Sequence, residues 1–183
     1  MERPARRPIA AVIGSARCDG EAERGALALG RCLVDRGFRV ATGGLTGVME
    51  YALRGASTSE AYREGDTLAF LPTAGTAGAS PYADVLIRTG LQHGRNLVMV
   101  SSADVVFAVG GRAGTLNELA LAWELSKPII VVGECDGWAT RLAGLRLDDR
   151  RTDVIEGPFA PEAAVARGRA IFDAGLVQPR EYA

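Results

Sequence analysis

Val105-Val106-Phe107-Ala108-Val109-Gly110-Gly111-Arg112-Ala113-Gly114-Thr115-Leu116-Asn117-Glu118 is the stretch on which the fold turns. Its first five residues are the most strand-like run in the chain: continuous, apolar and β-branched, the mark of a parallel strand covered on both faces. Gly110-Gly111 breaks the run, and residues 115–125 read as a helix that Lys127-Pro128 ends. A strand that passes through glycines into a helix leaves unpaired N–H groups and a partial positive charge beside a turn lacking Cβ atoms. The stretch therefore predicts an α/β fold with an anion cradle at Gly110, Gly111, Arg112, Gly114 and Thr115.

The same alternation extends outward in both directions. Residues 9–13 form a short apolar run that stops at Gly14-Ser15, and from Glu21 the residues Ala22, Ala26, Leu29 and Leu33 share one helical face, with Gly37 as the stop. Residues 38–42 give the next strand, broken by Gly43-Gly44 and Gly47, after which Val48, Ala52, Leu53 and Ala56 trace a second helix. Strands are expected at 67–71, 85–88 and 129–132, a short helix at 96–101 and a last helix at 161–172. Residues 72–81, rich in Gly, Ala, Ser and Thr, form a loop long enough to be a lid or rim.

Strands alternating with helices at this spacing imply one doubly wound parallel sheet, Rossmann-like, with right-handed crossovers and helices on both faces. One domain is expected over 1–183, with residues 1–7 as a loose tail around Arg3, Arg6 and Arg7. In such sheets the ligand crevice lies beyond the carboxyl ends of the strands, so the turns after Ile13, Thr42, Leu71 and Val109, three of them glycine turns that open helices, should converge there. The expected ligand-binding set is Gly14, Ser15, Gly43, Gly44, Gly47, Arg95, Gly110, Gly111, Arg112, Gly114 and Thr115.

Composition narrows the partners. The chain has 183 residues, 48% of them hydrophobic and 23% charged, with a net charge of −1, so nothing favours nucleic acid or anionic membranes. Cys18, Cys32 and Cys135 are far apart and form no C-x-x-C pair, which suggests neither a disulfide framework nor a zinc site. No signal-peptide run or membrane span is apparent, and a cytoplasmic protein that needs no metal is expected.

Two side chains could carry chemistry. Glu118 follows the third glycine turn closely enough to face a bound sugar or phosphate, yet Thr115-Leu116-Asn117-Glu118 equally fits a capping box. Arg95, near the start of the preceding helix, reads either as a solvated helix arginine or as a partner for a phosphate or for Glu118. His93, the only histidine, fits a surface role better than a catalytic one. The first turn is not G-x-G-x-x-G and no G-x-x-x-x-G-K-[ST] occurs, which disfavours nicotinamide oxidoreductases and P-loop NTPases.

At these residues the chain resembles the LOG-like ("lonely guy") superfamily of Rossmann-type proteins, often mislabelled as lysine decarboxylases; no lysine here sits in a pyridoxal phosphate context. The resemblance runs from about Ile9 to Val132. It is closest to the branch that includes molybdenum cofactor carrier proteins, through Ile13-Gly14-Ser15, Thr42-Gly43-Gly44 with Gly47-Val48-Met49, Arg95-Asn96, Ser102-Ala103-Asp104-Val105-Val106 and the 110–118 stretch. Enzymes of the superfamily are phosphoribohydrolases with the signature P-G-G-x-G-T-x-x-E. The resemblance makes Glu118 the catalytic carboxylate and Arg95 the catalytic residue that positions substrate and Glu118, with Gly111, Gly114 and Thr115 on the phosphate. Gly110 replaces the signature's proline, Arg112 its second glycine, and Asn96 the lysine after Arg95; these departures favour the carrier branch.

The resulting expectation is a protein that binds a phosphorylated, nucleotide-like small molecule, such as a nucleotide or a molybdopterin-type ligand, and requires no other cofactor. The alternative is a nucleoside 5′-monophosphate phosphoribohydrolase cleaving the N-glycosidic bond. Helix 115–125 is apolar almost all round, which suggests cover on two sides and a homodimer or higher homo-oligomer.

Overall fold

Seven parallel strands form a single sheet in the order β4-β3-β2-β1-β5-β6-β7, in a computed structural model that describes residues 6–18 and 20–175. The strands are β1 (Ile9–Gly14), β2 (Arg39–Thr42), β3 (Thr67–Leu71), β4 (Val85–Arg88), β5 (Val105–Val109), β6 (Ile129–Val132) and β7 (Glu156–Phe159). The helices are α1 (Gly20–Asp35), α2 (Val48–Ala56), α3 (Arg95–Ser102), α4 (Ala113–Glu124), α5 (Trp138–Leu142) and α6 (Pro161–Asp173).

Alternating side chains along each central strand feed two cores. Ala10, Val12, Val105, Phe107 and Val109 pack with Leu29, Leu33, Phe38, Leu53 and Val165, beneath α1, α2 and α6. Ala11, Ile13, Val106 and Ala108 face the other way, onto Met99, Leu119, Ala122, Trp123 and Ala139 of α3, α4 and α5. β5 is buried along its whole length, as its apolar run requires. Chain order runs leftward from β1 to β4 and then resumes at β5 on the other side of β1. β1 and β5 therefore flank the switch point, and their following helices leave toward opposite faces.

The doubly wound sheet expected from the sequence is present, and three of its details differ. β7 and α5 have no counterpart in the sequence reading. α4 begins at Ala113, two residues before the expected start. Arg6 and Arg7, expected in a loose tail with Arg3, are anchored: Arg6 donates to both oxygens of Asp104 at 2.7 Å, and Arg7 reaches Asp66 and the carbonyls of Gly37 and Phe38. Asp66 and Asp104 are buried, and an acid taken out of water needs a cation beside it. Arg3 lies outside the described residues. Among the described residues no helix is long and apolar enough to cross a membrane.

Candidate ligand-binding site

At the carboxyl ends of β1, β5 and β6 lies a cleft of about 450 Å³. Ser15 and Arg17 enter it from the turn after β1, and Gly110, Gly111 and Arg112 from the turn after β5. Asp136, Gly137, Trp138 and Arg141 line it from the turn after β6 and from α5. Arg17, Arg112 and Arg141 are exposed at its rim against the single carboxylate of Asp136, so the mouth favours an anion.

α4 opens onto this cleft. Arg112 is its N-cap residue and makes no side-chain cap hydrogen bond, so the first-turn N–H groups lack the usual side-chain acceptor. The capping box expected over Thr115–Glu118 is not formed. The helix has begun two residues earlier, so Thr115 sits inside its first turn with its side chain buried against Gly111, and Glu118 lies a turn further in.

The glycines have distinct tasks. A Cβ on Gly14 would lie 2.7 Å from the Val109 carbonyl oxygen, and one on Gly111 would lie 2.4 Å from Thr115 Oγ1; both let protein approach protein. A Cβ on Gly114 would meet nothing within 4 Å; its open side is a depression between α3 and α4, not this cleft. Gly44 packs on Ala69 and Leu71, and Gly47 lies against Ser15, whose carbonyl also accepts from Val48 N–H at 3.0 Å. The second glycine turn thus buttresses the first. The 72–81 loop is exposed over 73–78 and tied to the second turn by Ser80 N–H on Gly44 O at 2.8 Å; it does not line the cleft.

Arg95 and Glu118 form a second polar cluster, between α3 and α4. The Arg95 guanidinium fills the space that a Gly43 side chain would occupy, with Nη1 only 1.8 Å from the ideal Cβ position. That Nη1 is buried and has no hydrogen-bond partner among the described residues. Glu118 is 6% exposed, and burial pushes its carboxyl up to about 7, an effect that the positive charge of Arg95 partly offsets. Burial pulls Arg95 down in turn, opposed by Glu118. Asn96 Nδ2 donates to Asn117 Oδ1 at 3.0 Å and ties the two helices together. His93 is exposed in the depression between α3 and α4, of about 560 Å³, with Leu97, Gly114, Asn117 and Leu121.

The sequence profile of the SLOG cluster4 family matches residues 7–156. The chain belongs to the SLOG cluster4 family. It is similar to the molybdenum cofactor binding protein of Rippkaea orientalis, with 38% identity over 69% of this chain and 77% of that one and a TM-score of 0.65. It is similar to TM1055, with 31% identity over 87% and 97% of the two chains and a TM-score of 0.78. The molybdenum cofactor carrier protein of Chlamydomonas reinhardtii shares 34% identity over 69% and 78%, with a TM-score of 0.61. The resemblance to the LOG-like superfamily near its molybdenum cofactor carrier branch is thereby borne out.

In this SLOG cluster4 chain the expected site residues fall into two groups. Ser15, Gly110, Gly111 and Arg112 line the cleft, with Gly14 and Thr115 in the turns that shape it, while Gly114 lines the depression beside His93 and Leu97. Gly43, Arg95 and Glu118 are gathered elsewhere, and Gly44 and Gly47 support from behind. The wall from β6 was missed entirely. Its signal was available: Gly133-Glu134-Cys135-Asp136-Gly137 follows a buried strand, a further glycine turn in the same structural slot.

Proposed function

We propose that this SLOG cluster4 protein binds a phosphorylated, nucleotide-like small molecule, of the nucleotide or pterin phosphate kind, in the cleft at the ends of β1, β5 and β6, and that it acts in the cytoplasm. The observation that carries this reading is the start of α4: a helix N-terminus without a side-chain cap, opening into a cleft rimmed by three arginines. A phosphate there would accept from first-turn N–H groups, with Arg112 beside it at the rim. The carrier and binding proteins of Chlamydomonas and Rippkaea support a ligand of the same chemistry. Thermal unfolding with nucleoside 5′-monophosphates and pterin phosphates tests it. Ligand at about 100 times Kd adds roughly 2.7 kcal/mol, a rise in Tm of about 5–10 °C for a domain of this size. No shift with any of them would end the reading.

A second reading, N-glycosidic phosphoribohydrolase, draws on the Glu118 carboxyl, whose proton affinity near neutrality suits acid–base work beside Arg95. It expects released base on chromatography and its loss in Glu118→Gln. Turnover unchanged by that substitution would remove Glu118 from the chemistry.

The same proposal includes a homodimer. α4 leaves Ala120 exposed and Leu116 and Leu121 half-buried, and Leu97 of α3, beside Leu121, stands 46% exposed, an apolar face that a second copy would cover. Sedimentation of the protein at micromolar concentration decides it.

A further inference from the structure

The chain has two tryptophans, and they are treated differently. Trp123 is 2% exposed, donates its indole N–H to Asp148 at 2.8 Å and carries Arg151 at 4.4 Å from its ring centroid. It is packed and satisfied. Trp138 stands 36% exposed at the wall of the ligand cleft. A large aromatic side chain left open in a polar cleft is a more informative feature than a scattered surface leucine.

Its position is also fixed. Trp138 N–H donates to Gly111 O and Ala139 N–H to Gly110 O, each at 3.0 Å, so the backbone that carries the indole is bonded directly to the turn expected to hold phosphate. Gly137 makes this contact possible: its φ is +146°, and a Cβ there would lie 2.4 Å from both Gly110 C and Gly111 N. The Arg141 guanidinium lies 5.6 Å from the indole centroid, close enough for a cation–π contact. Its pairing with Asp136 at 3.3 Å is between two exposed groups and holds it only weakly.

We propose that Trp138, backed by Arg141, is the stacking platform for a planar heteroaromatic ring of the cleft's ligand, while the phosphate of the same molecule lies at Arg112 and the start of α4. This rests on the binding function proposed above and narrows it to anionic ligands that carry a flat ring. The locked backbone sets the spacing between ring and phosphate before the ligand arrives, so little ordering is required on binding. Ligands with only a sugar phosphate would bind the phosphate end and gain nothing from the indole.

Tryptophan fluorescence and thermal unfolding, read on the full chain with AMP, GMP and ribose 5-phosphate, test this. AMP or GMP should quench the emission saturably, with the same midpoint as its thermal stabilisation; ribose 5-phosphate should stabilise without quenching. Trp138→Leu should lose the quenching while Trp123 still emits. It should bind the nucleotide roughly 10-fold to 100-fold more weakly, the weight of a base–aromatic stack, with ribose 5-phosphate affinity unchanged. Trp138→Phe should retain most of the nucleotide affinity and guards against a folding defect in the leucine variant. Nucleotide that stabilises the protein but binds Trp138→Leu as well as the unaltered chain would overturn the platform and leave the binding function standing. If none of the three compounds stabilises the protein, the platform falls, and the binding function then rests on the pterin phosphates alone.

Discussion

The cleft at β1, β5 and β6 and the cluster around Gly43, Arg95 and Glu118 are assembled from the same kinds of residue, a glycine turn with an arginine beside it, and they do opposite things with them. At Gly43 the missing side chain is replaced by a guanidinium from within the chain, and the arginine is withdrawn from solvent opposite a buried acid. At the cleft the turn after β5 faces open space, and Arg17, Arg112 and Arg141 stay exposed at the rim. A glycine after a strand therefore says that something comes close. Whether that something is the protein or a ligand depends on what the topology places next to it.

Three substitutions would break or sharpen this contrast. The largest effect is expected from Gly137→Ala, which forces a side chain into the backbone of Gly110 and Gly111 and strains a positive φ. A cost of about 3 kcal/mol is expected, with Tm lowered by roughly 6–12 °C and ligand stabilisation lost. An unchanged Tm would mean that the β6 wall is not locked to the phosphate turn.

Glu118→Gln comes next and probes the closed cluster through pH. The folded protein holds the Glu118 proton up to about 7, whereas the unfolded chain releases it near 4.5. Stability from the neutral carboxyl is therefore fully present below 4.5 and lost as pH rises through 7. The loss is on the order of 3 kcal/mol across that window. The variant should lack this slope, seen as urea midpoints that vary less between acid and alkaline buffer. Equal slopes in both proteins would mean that Glu118 is ionised in the fold throughout.

The smallest effect has the opposite sign. Gly114→Ala adds a Cβ into open space in the first turn of α4, so the protein should gain about 0.5 kcal/mol from helix propensity. Ligand affinity should hold, because the methyl group would enter the depression beside Leu97 and Leu121, not the cleft. A variant that is more stable but no longer binds in titration would put the phosphate on the Leu97 side of this turn.

Much of the fold was legible because buried parallel strands read plainly: β3, β5 and β6 are covered apolar runs bounded by proline, glycine or charge, and β4, though largely exposed at the sheet's edge, is set off by Asp84 before it. β7 was not, since Glu156-Gly157-Pro158-Phe159 has no β-branched residue and is half-covered or exposed at the sheet's edge. α5 is five residues between Gly137 and Gly144, too short to show a period. The start of α4 was misplaced because Thr115 and Glu118 have the spacing of a capping box, while Arg112 does the capping position's work without a side-chain bond. The site was legible at its β5 turn, where sequence neighbours are also spatial neighbours. Arg95 against Gly43, and Trp138 against Gly111, are contacts between distant segments that no local pattern encodes.

Arg6 and Arg7 have a practical consequence as well. They fasten the strand's entry to Asp104 and Asp66 at the amino edge of the sheet, while the cleft opens at the carboxyl edge, some 20 Å away along a six-residue strand. A tag, tether or fused domain placed ahead of Arg6 would leave the molecule at the pole opposite the cleft. Immobilised by that end, the protein would present its open mouth to solution.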